Sequence, residues 1–216
     1  MNLALEELSR SAQAEFLAGF SQIDPRLQYQ RNQFVRDFFP GLIEKYGIIA
    51  ASVGADVFEA EAVALGLRPR VELAPGVNAE RASARLMGEL NSTTTLATAL
   101  ALTDELVRQP YRSTFQDSAL RSGGGWARVP VNDTCNFCIM LASRGGVYTR
   151  ETVVLGFSGK KYHGDCDCVP VLVRDARDYP AGYFPDDLYE KYKAVHSPGD
   201  TGAQVVAKMR KAYGGK

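Results

Sequence analysis

Little in this 216-residue chain leans to an extreme. Lysine plus arginine and aspartate plus glutamate both number 25, so no bulk charge draws it to nucleic acid or to a membrane surface. No stretch approaches the roughly 20 consecutive apolar residues of a membrane-crossing helix, so no membrane partner is expected. The opening MNLALEELSRSAQ lacks a basic stretch followed by an apolar run, which argues against a secretory leader. The expectation is a chain made in a cytoplasm, where thiols stay reduced and clustered cysteines suggest metal more than disulfides. There is no internal repeat and no low-complexity segment. Gly123-Gly124-Gly125 lacks the Gly-Lys-Ser/Thr ending of a phosphate-binding loop, and no His-Glu-x2-His zinc-protease motif occurs. Tryptophan occurs once, histidine twice and cysteine four times.

What is present starts with helices. Leu5, Leu8, Ala12, Phe16 and Phe20 recur at three- and four-residue steps, predicting a helix over residues 2–22. Asp24-Pro25 suits a break and restart. Phe34, Phe38, Leu42, Tyr46, Ile49, Val53 and Val57 predict a long helical stretch over 25–66, kinked or broken at Pro40-Gly41 and ended by Gly66. The small run Ala50, Ala51, Ser52, Gly54, Ala55 would let another helix come close. Residues 67–77 read as loop. Asn78 can cap a helix to about Leu90. A long helix over 93–122 buries Leu96, Leu100, Leu102, Leu106 and Val107, and Pro110 is a possible kink in it.

Ser122-Gly123-Gly124-Gly125 is the strongest punctuation in the chain. It divides the expectation into a helical domain, 1–122, and a small α+β domain, 123–216. The fold class expected is therefore α+β, predominantly helical, with long N-terminal helices and short C-terminal ones. Strands are expected near Ala127–Val129, Val147–Thr149 and Val169–Val173, with Pro170 confining the last to an edge or strand start. After a loop over 174–185, Asp186 or Asp187 should cap a short helix to about Val195. Gln204 to Tyr213 should form a basic amphipathic helix. Charge is mildly asymmetric: 10 basic and 14 acidic residues up to Pro110, 15 and 11 after it. That is the ordinary range for solvated faces.

The chemistry concentrates in Trp126–Val173. Cys135-x2-Cys138 is followed, 24 residues later, by His163-x2-Cys166-x-Cys168. Zinc takes four such ligands in a tetrahedron, and pairs two residues apart wrap one ion from a tight turn. Five candidates compete for four places. The reading preferred from spacing is Cys135, Cys138, His163 and Cys166, with Cys168 as substitute because it faces the same way as Cys166 on a strand. Packed free thiols and disulfides are the alternatives. A catalytic role fits poorly. Zinc deaminases place His-x-Glu before Pro-Cys-x2-Cys, whereas here the order is reversed and His163 is followed by Gly164-Asp165. A cysteine nucleophile would need His163 oriented by a third residue, and none is evident. His196 lies in a Pro-Gly turn and reads as an exposed surface histidine.

These residues also carry a resemblance. Trp126-x-Arg128-Val129-Pro130, Cys135-x2-Cys138, Met140-Leu141-Ala142-Ser143-Arg144-Gly145-x-Val147-Tyr148 and Tyr162-His163-x2-Cys166-x-Cys168-x2-Val171 together resemble the MuF-like minor capsid proteins. These are head morphogenesis proteins of tailed bacteriophages, of the type found in phages of actinobacteria. Lys45-Tyr46-Gly47 and Tyr111-Arg112-x-Thr114 extend the resemblance upstream, over most of residues 30–175. It implies a virion component in few copies inside the head or near the portal, made in the host cytoplasm. Its implied partners are the major capsid protein or the portal protein, with packaged double-stranded DNA as a further one. It implies no enzyme activity, no small-molecule substrate and a structural metal site, here zinc. The rival expectations are a zinc-ribbon-like nucleic-acid-binding protein or nuclease presenting Arg128, Arg144, Arg150, Lys160 and Lys161 to phosphate, and a cytoplasmic zinc-ribbon protein unrelated to phage.

Overall fold

The computed structural model describes all residues except 1–2, 93–95, 132–134, 147–165 and 215–216. Helices α1 (Leu3–Phe20), α2 (Gln28–Asp37), α3 (Phe39–Ala64), α4 (Ala79–Asn91) and α5 (Leu96–Arg121) come first. Then follow β1 (Gly125–Val129), α6 (Asn136–Ala142), β2 (Val169–Val173), a 3-10 turn at Ala176–Asp178, α7 (Pro185–Val195) and α8 (Gly202–Tyr213). The class is the expected one, helical first and mixed later. The expected strand Val147–Thr149 lies outside the described residues.

The helical part forms where apolar periodicity and breakers agree. The stretch expected over 25–66 is broken at Phe38, and Pro40 falls in the first turn of α3, where its missing N–H costs nothing. Phe38 still donates its N–H to the Phe34 carbonyl at 2.9 Å, so one helix ends as the next begins. At the far end Leu67 donates to Ala62 and Gly66 to Val63, a Schellman pair with Gly66 at φ 69°. The same pair ends α5, Gly124 to Ala119 and Gly123 to Leu120, with Gly123 at φ 78°. Pro110 remains inside α5 without ending it.

One expectation about a buried face is corrected: Leu96 is 40% exposed, and Ile49, part of the spacing that predicts α3, is 43% exposed. The buried face of α3 runs instead through Ile43, Ala50, Gly54, Phe58 and Ala62. The reason is α5, which lies so close that small residues, not large ones, fill the contact. A Cβ added at Gly54 would stand 2.5 Å from the Tyr111 carbonyl oxygen.

The main core joins Phe16, Phe34, Phe39, Leu42, Ile43, Leu86, Leu102, Leu106 and Val107 from the first five helices. A second cluster joins Phe58 and Ala62 of α3, Phe115 and Ala119 of α5, Trp126 of β1 and Leu172 of β2. This apolar cluster runs across the residue 122/123 boundary. The strands pair antiparallel, with Trp126 opposite Leu172 and Arg128 opposite Pro170. Among the described residues this is a two-stranded sheet, so Pro170 sits where edges abound.

Residues 67–77 are loop, as expected, but ordered along α5. The N–H groups of Arg70, Glu72 and Ala74 donate to the hydroxyls of Ser122, Ser118 and Thr114, at 2.8, 2.9 and 2.9 Å. Two extended residues advance about 6.6 Å and four helical residues about 6.0 Å. Alternate N–H groups therefore meet hydroxyls spaced four apart.

The C-terminal helices need two smaller corrections. Neither Asp186 nor Asp187 caps α7: Phe184 is the N-cap residue, Pro185 opens the helix, and both aspartates lie in the first turn. There they still face the positive end of the helix dipole. Helix α8 starts at Gly202, earlier than expected, because Thr201 and Gln204 form a capping box.

Candidate metal centre

The cysteines meet where α5, α6 and the start of β2 converge. Cys135 is the N-cap residue of α6, and its Sγ accepts the Cys138 N–H at 3.4 Å. That bond curls the Cys-x2-Cys segment so that Cys138 points inward from the first turn. Cys166 and Cys168 immediately precede β2, at even positions like Pro170 and Leu172. They thus extend the face that packs on α3 and α5.

The Sγ atoms of Cys138, Cys166 and Cys168 all lie within 4.8 Å of one another, and all three residues are buried. Cys138 and Cys166 are 3.3 Å apart at sulfur, far beyond the roughly 2.05 Å of a disulfide. Cys135, half-buried, packs against the group. Among the described residues no disulfide joins the four cysteines. His163 and Asp165 lie outside the described residues. His196 is exposed at the end of α7, stacked on Tyr192 at 4.9 Å, and among the described residues it joins no metal-ligand group.

Two buried arginines shape the electrostatics. Arg112 of α5, 2% exposed, donates from its guanidinium to the Cys166 carbonyl. Arg128 of β1 is fully buried and lies near enough to Cys168 to favour its thiolate. Cys166 is held well below the ordinary thiol range, because the Cys138 and Cys168 thiols donate to it and Arg112 stands beside it. Cys138 is pushed up by its hydrogen bonds to Cys135, Cys166 and Cys168 and by burial. At Cys168 the bond with Cys138 lowers the value, but the bond with Cys166, burial and the Cys166 charge outweigh it and push it up to about 12.

These residues fit a metal ion. The ligands of a tetrahedral zinc with Zn–S bonds of about 2.3 Å stand about 3.8 Å apart, a spacing compatible with three sulfurs that lie within 4.8 Å of one another, one pair at 3.3 Å. A metal bound there displaces the thiol protons and supplies bonds linking α6 to β2.

Arg112 and Arg128 had not been singled out as parts of the site. The signal for Arg128 was in its position: it shares a strand face with Trp126, which buries it. Its burial also removes it from any phosphate-binding surface, which corrects the set Arg128, Arg144, Arg150, Lys160, Lys161. Of these, Arg144 is exposed and the last three lie outside the described residues.

Across residues 1–195 the chain matches the family model described as VG15 protein. The chain belongs to the VG15 family. This family is one of phage proteins. The match takes in all five long helices, both strands, the cysteines and α7, and ends at Val195, before α8. No curated protein and no solved structure matches this family member. No helix among its described residues is long and apolar enough to cross a membrane.

Proposed function

We propose that this VG15 family member is a minor head protein of a tailed phage. It docks on the inner capsid surface or at the portal and assists assembly, packaging or genome delivery, without catalysis of its own. The cysteine group holds a structural zinc in this reading. The observation that carries it is where the thiols point. Cys138, Cys166 and Cys168 are 1–2% exposed and face the protein interior, between a helix turn and a strand start, with Arg112 tying the Cys166 backbone to α5. A buried group so tied supports a role in holding elements together.

Purified protein incubated with portal protein and with major capsid protein tests the docking. Binding to one of them that persists between about 50 and 200 mM salt is expected, because phosphate contacts would weaken steeply over that range. Failure to bind either, together with steeply salt-dependent binding to double-stranded DNA, would favour the nucleic-acid module instead. Nuclease activity abolished by Cys135→Ser would overturn the non-enzymatic reading.

A further inference from the structure

The open question at the cysteine group is its fourth ligand, and three observations bear on it. First, Cys138, Cys166 and Cys168 already supply three sulfurs within 4.8 Å, so both members of the Cys166-x-Cys168 pair are present together. Neither substitutes for the other. Second, Cys135 is the remaining thiol and packs beside the three, although its Sγ stands outside their 4.8 Å group. Its Sγ accepts the Cys138 N–H and its side chain packs against the three. An amide N–H aimed at sulfur stabilises the thiolate form, which is the form that binds metal. Third, the surroundings are cationic. Arg112 and Arg128 are both essentially buried, one on the Cys166 carbonyl and one paired with Pro170, two residues from Cys168. Zinc with four thiolates carries a net charge of about −2, and replacing one thiolate by imidazole reduces it to about −1. Buried guanidinium charges favour the more negative set, since charge of either sign is costly to bury without its opposite.

We infer that the metal is held by four thiolates, Cys135, Cys138, Cys166 and Cys168, with Arg112 and Arg128 as positioning residues that stabilise their charge. His163 is not a ligand in this arrangement, contrary to the set preferred from spacing. The inference rests on the structural-zinc reading and is independent of where the protein docks.

The test is X-ray absorption at the zinc edge on the full-length wild-type protein, reconstituted with zinc alone. A shell of four sulfurs at about 2.3 Å with no nitrogen near 2.0 Å is expected. A shell of three sulfurs and one nitrogen overturns the ligand set while leaving structural zinc in place. No retained zinc after reconstitution overturns both. Variants give a second readout through competition with a chelating dye. His163→Ala should retain one zinc per chain with unchanged competition, and loss of zinc from that variant would overturn the proposal. Cys135→Ser should give up its zinc to a chelator concentration that wild type resists, and wild-type retention there would equally overturn it.

Discussion

Gly54 shows how much one missing side chain decides. It lies where α3 meets the backbone of α5 at Tyr111, and an added Cβ would stand 2.5 Å from a carbonyl oxygen. Backbone cannot swing aside as a side chain does, so the helices would have to part. Gly54→Ala should cost about 1–3 kcal/mol, read as a lower denaturant midpoint with unchanged slope. Glu61 is the second decisive residue. Its carboxylate accepts the Leu172 N–H at 2.9 Å, tying α3 to β2. Burial raises it above its ordinary 4.5, and the bond from Leu172 offsets only part of that. A raised carboxylate binds its proton more tightly when folded. The stability it contributes is full below 4.5 and is lost as pH rises through the higher folded value. Glu61→Gln keeps an acceptor for Leu172 and removes the charge. Thermal melts across this range should show a shallower decline for the variant and a higher melting temperature near pH 7; an equal or lower one would contradict the account.

At the scale of elements, the residue 67–77 segment is held by hydroxyls more than by apolar contact. Ser118 is buried and accepts from Glu72, while Ser122 is less enclosed and accepts from Arg70. Removing a buried acceptor strands its donor at about 1–3 kcal/mol. Ser118→Ala should therefore destabilise by about 1 kcal/mol and speed hydrogen exchange at the Glu72 amide, with a smaller effect from Ser122→Ala at Arg70. Helix α8 depends on its cap in the same way. Thr201→Ala removes the acceptor for the Gln204 N–H and should cost about 1 kcal/mol, visible as fraying of α8 by exchange. Most of the elements themselves were legible beforehand. The stripe Leu5, Ala12, Phe16 placed α1, Asn78 placed the start of α4, and the run of glycines placed the end of α5. The expected start of α8 is misplaced by two residues, although Thr201-x2-Gln204 carries the capping signal. The hydroxyl ladder was not legible, because residues 70–74 and 114–122 are far apart in sequence and have no periodic feature in common.

Over the whole molecule, the sheet and Arg112 together link the cysteine group to the helices. Trp126, the single tryptophan, is fully buried against Phe58 and Phe115 and so reports whether the strands remain docked. With the proposed zinc in the cysteine group, stripping it by a chelator should release the region 126–173, seen as a red shift in tryptophan emission and loss of near-ultraviolet dichroism. Far-ultraviolet helical signal should largely persist, since the main core draws on α1 to α5 alone. An unchanged tryptophan spectrum in metal-free protein would mean that the apolar cluster, and not the metal, holds the strands.

The sequence by itself determined the helical first half, the glycine break, the strands beside it and the five residues worth examining. Each is a local matter of periodicity, caps and spacing, which physics expresses within a few turns of chain. Tertiary structure alone decided that α3 meets α5 through glycine and alanine, leaving Ile49 outside. It also brought Cys166 and Cys168 together with Cys138, and put Arg112 and Arg128 inside with them. Those facts depend on how segments far apart in the chain pack, 28 residues for Cys138 with Cys166 and 54 for Arg112 with Cys166, and the net charge around a buried thiol is set by neighbours that its own stretch of chain does not name.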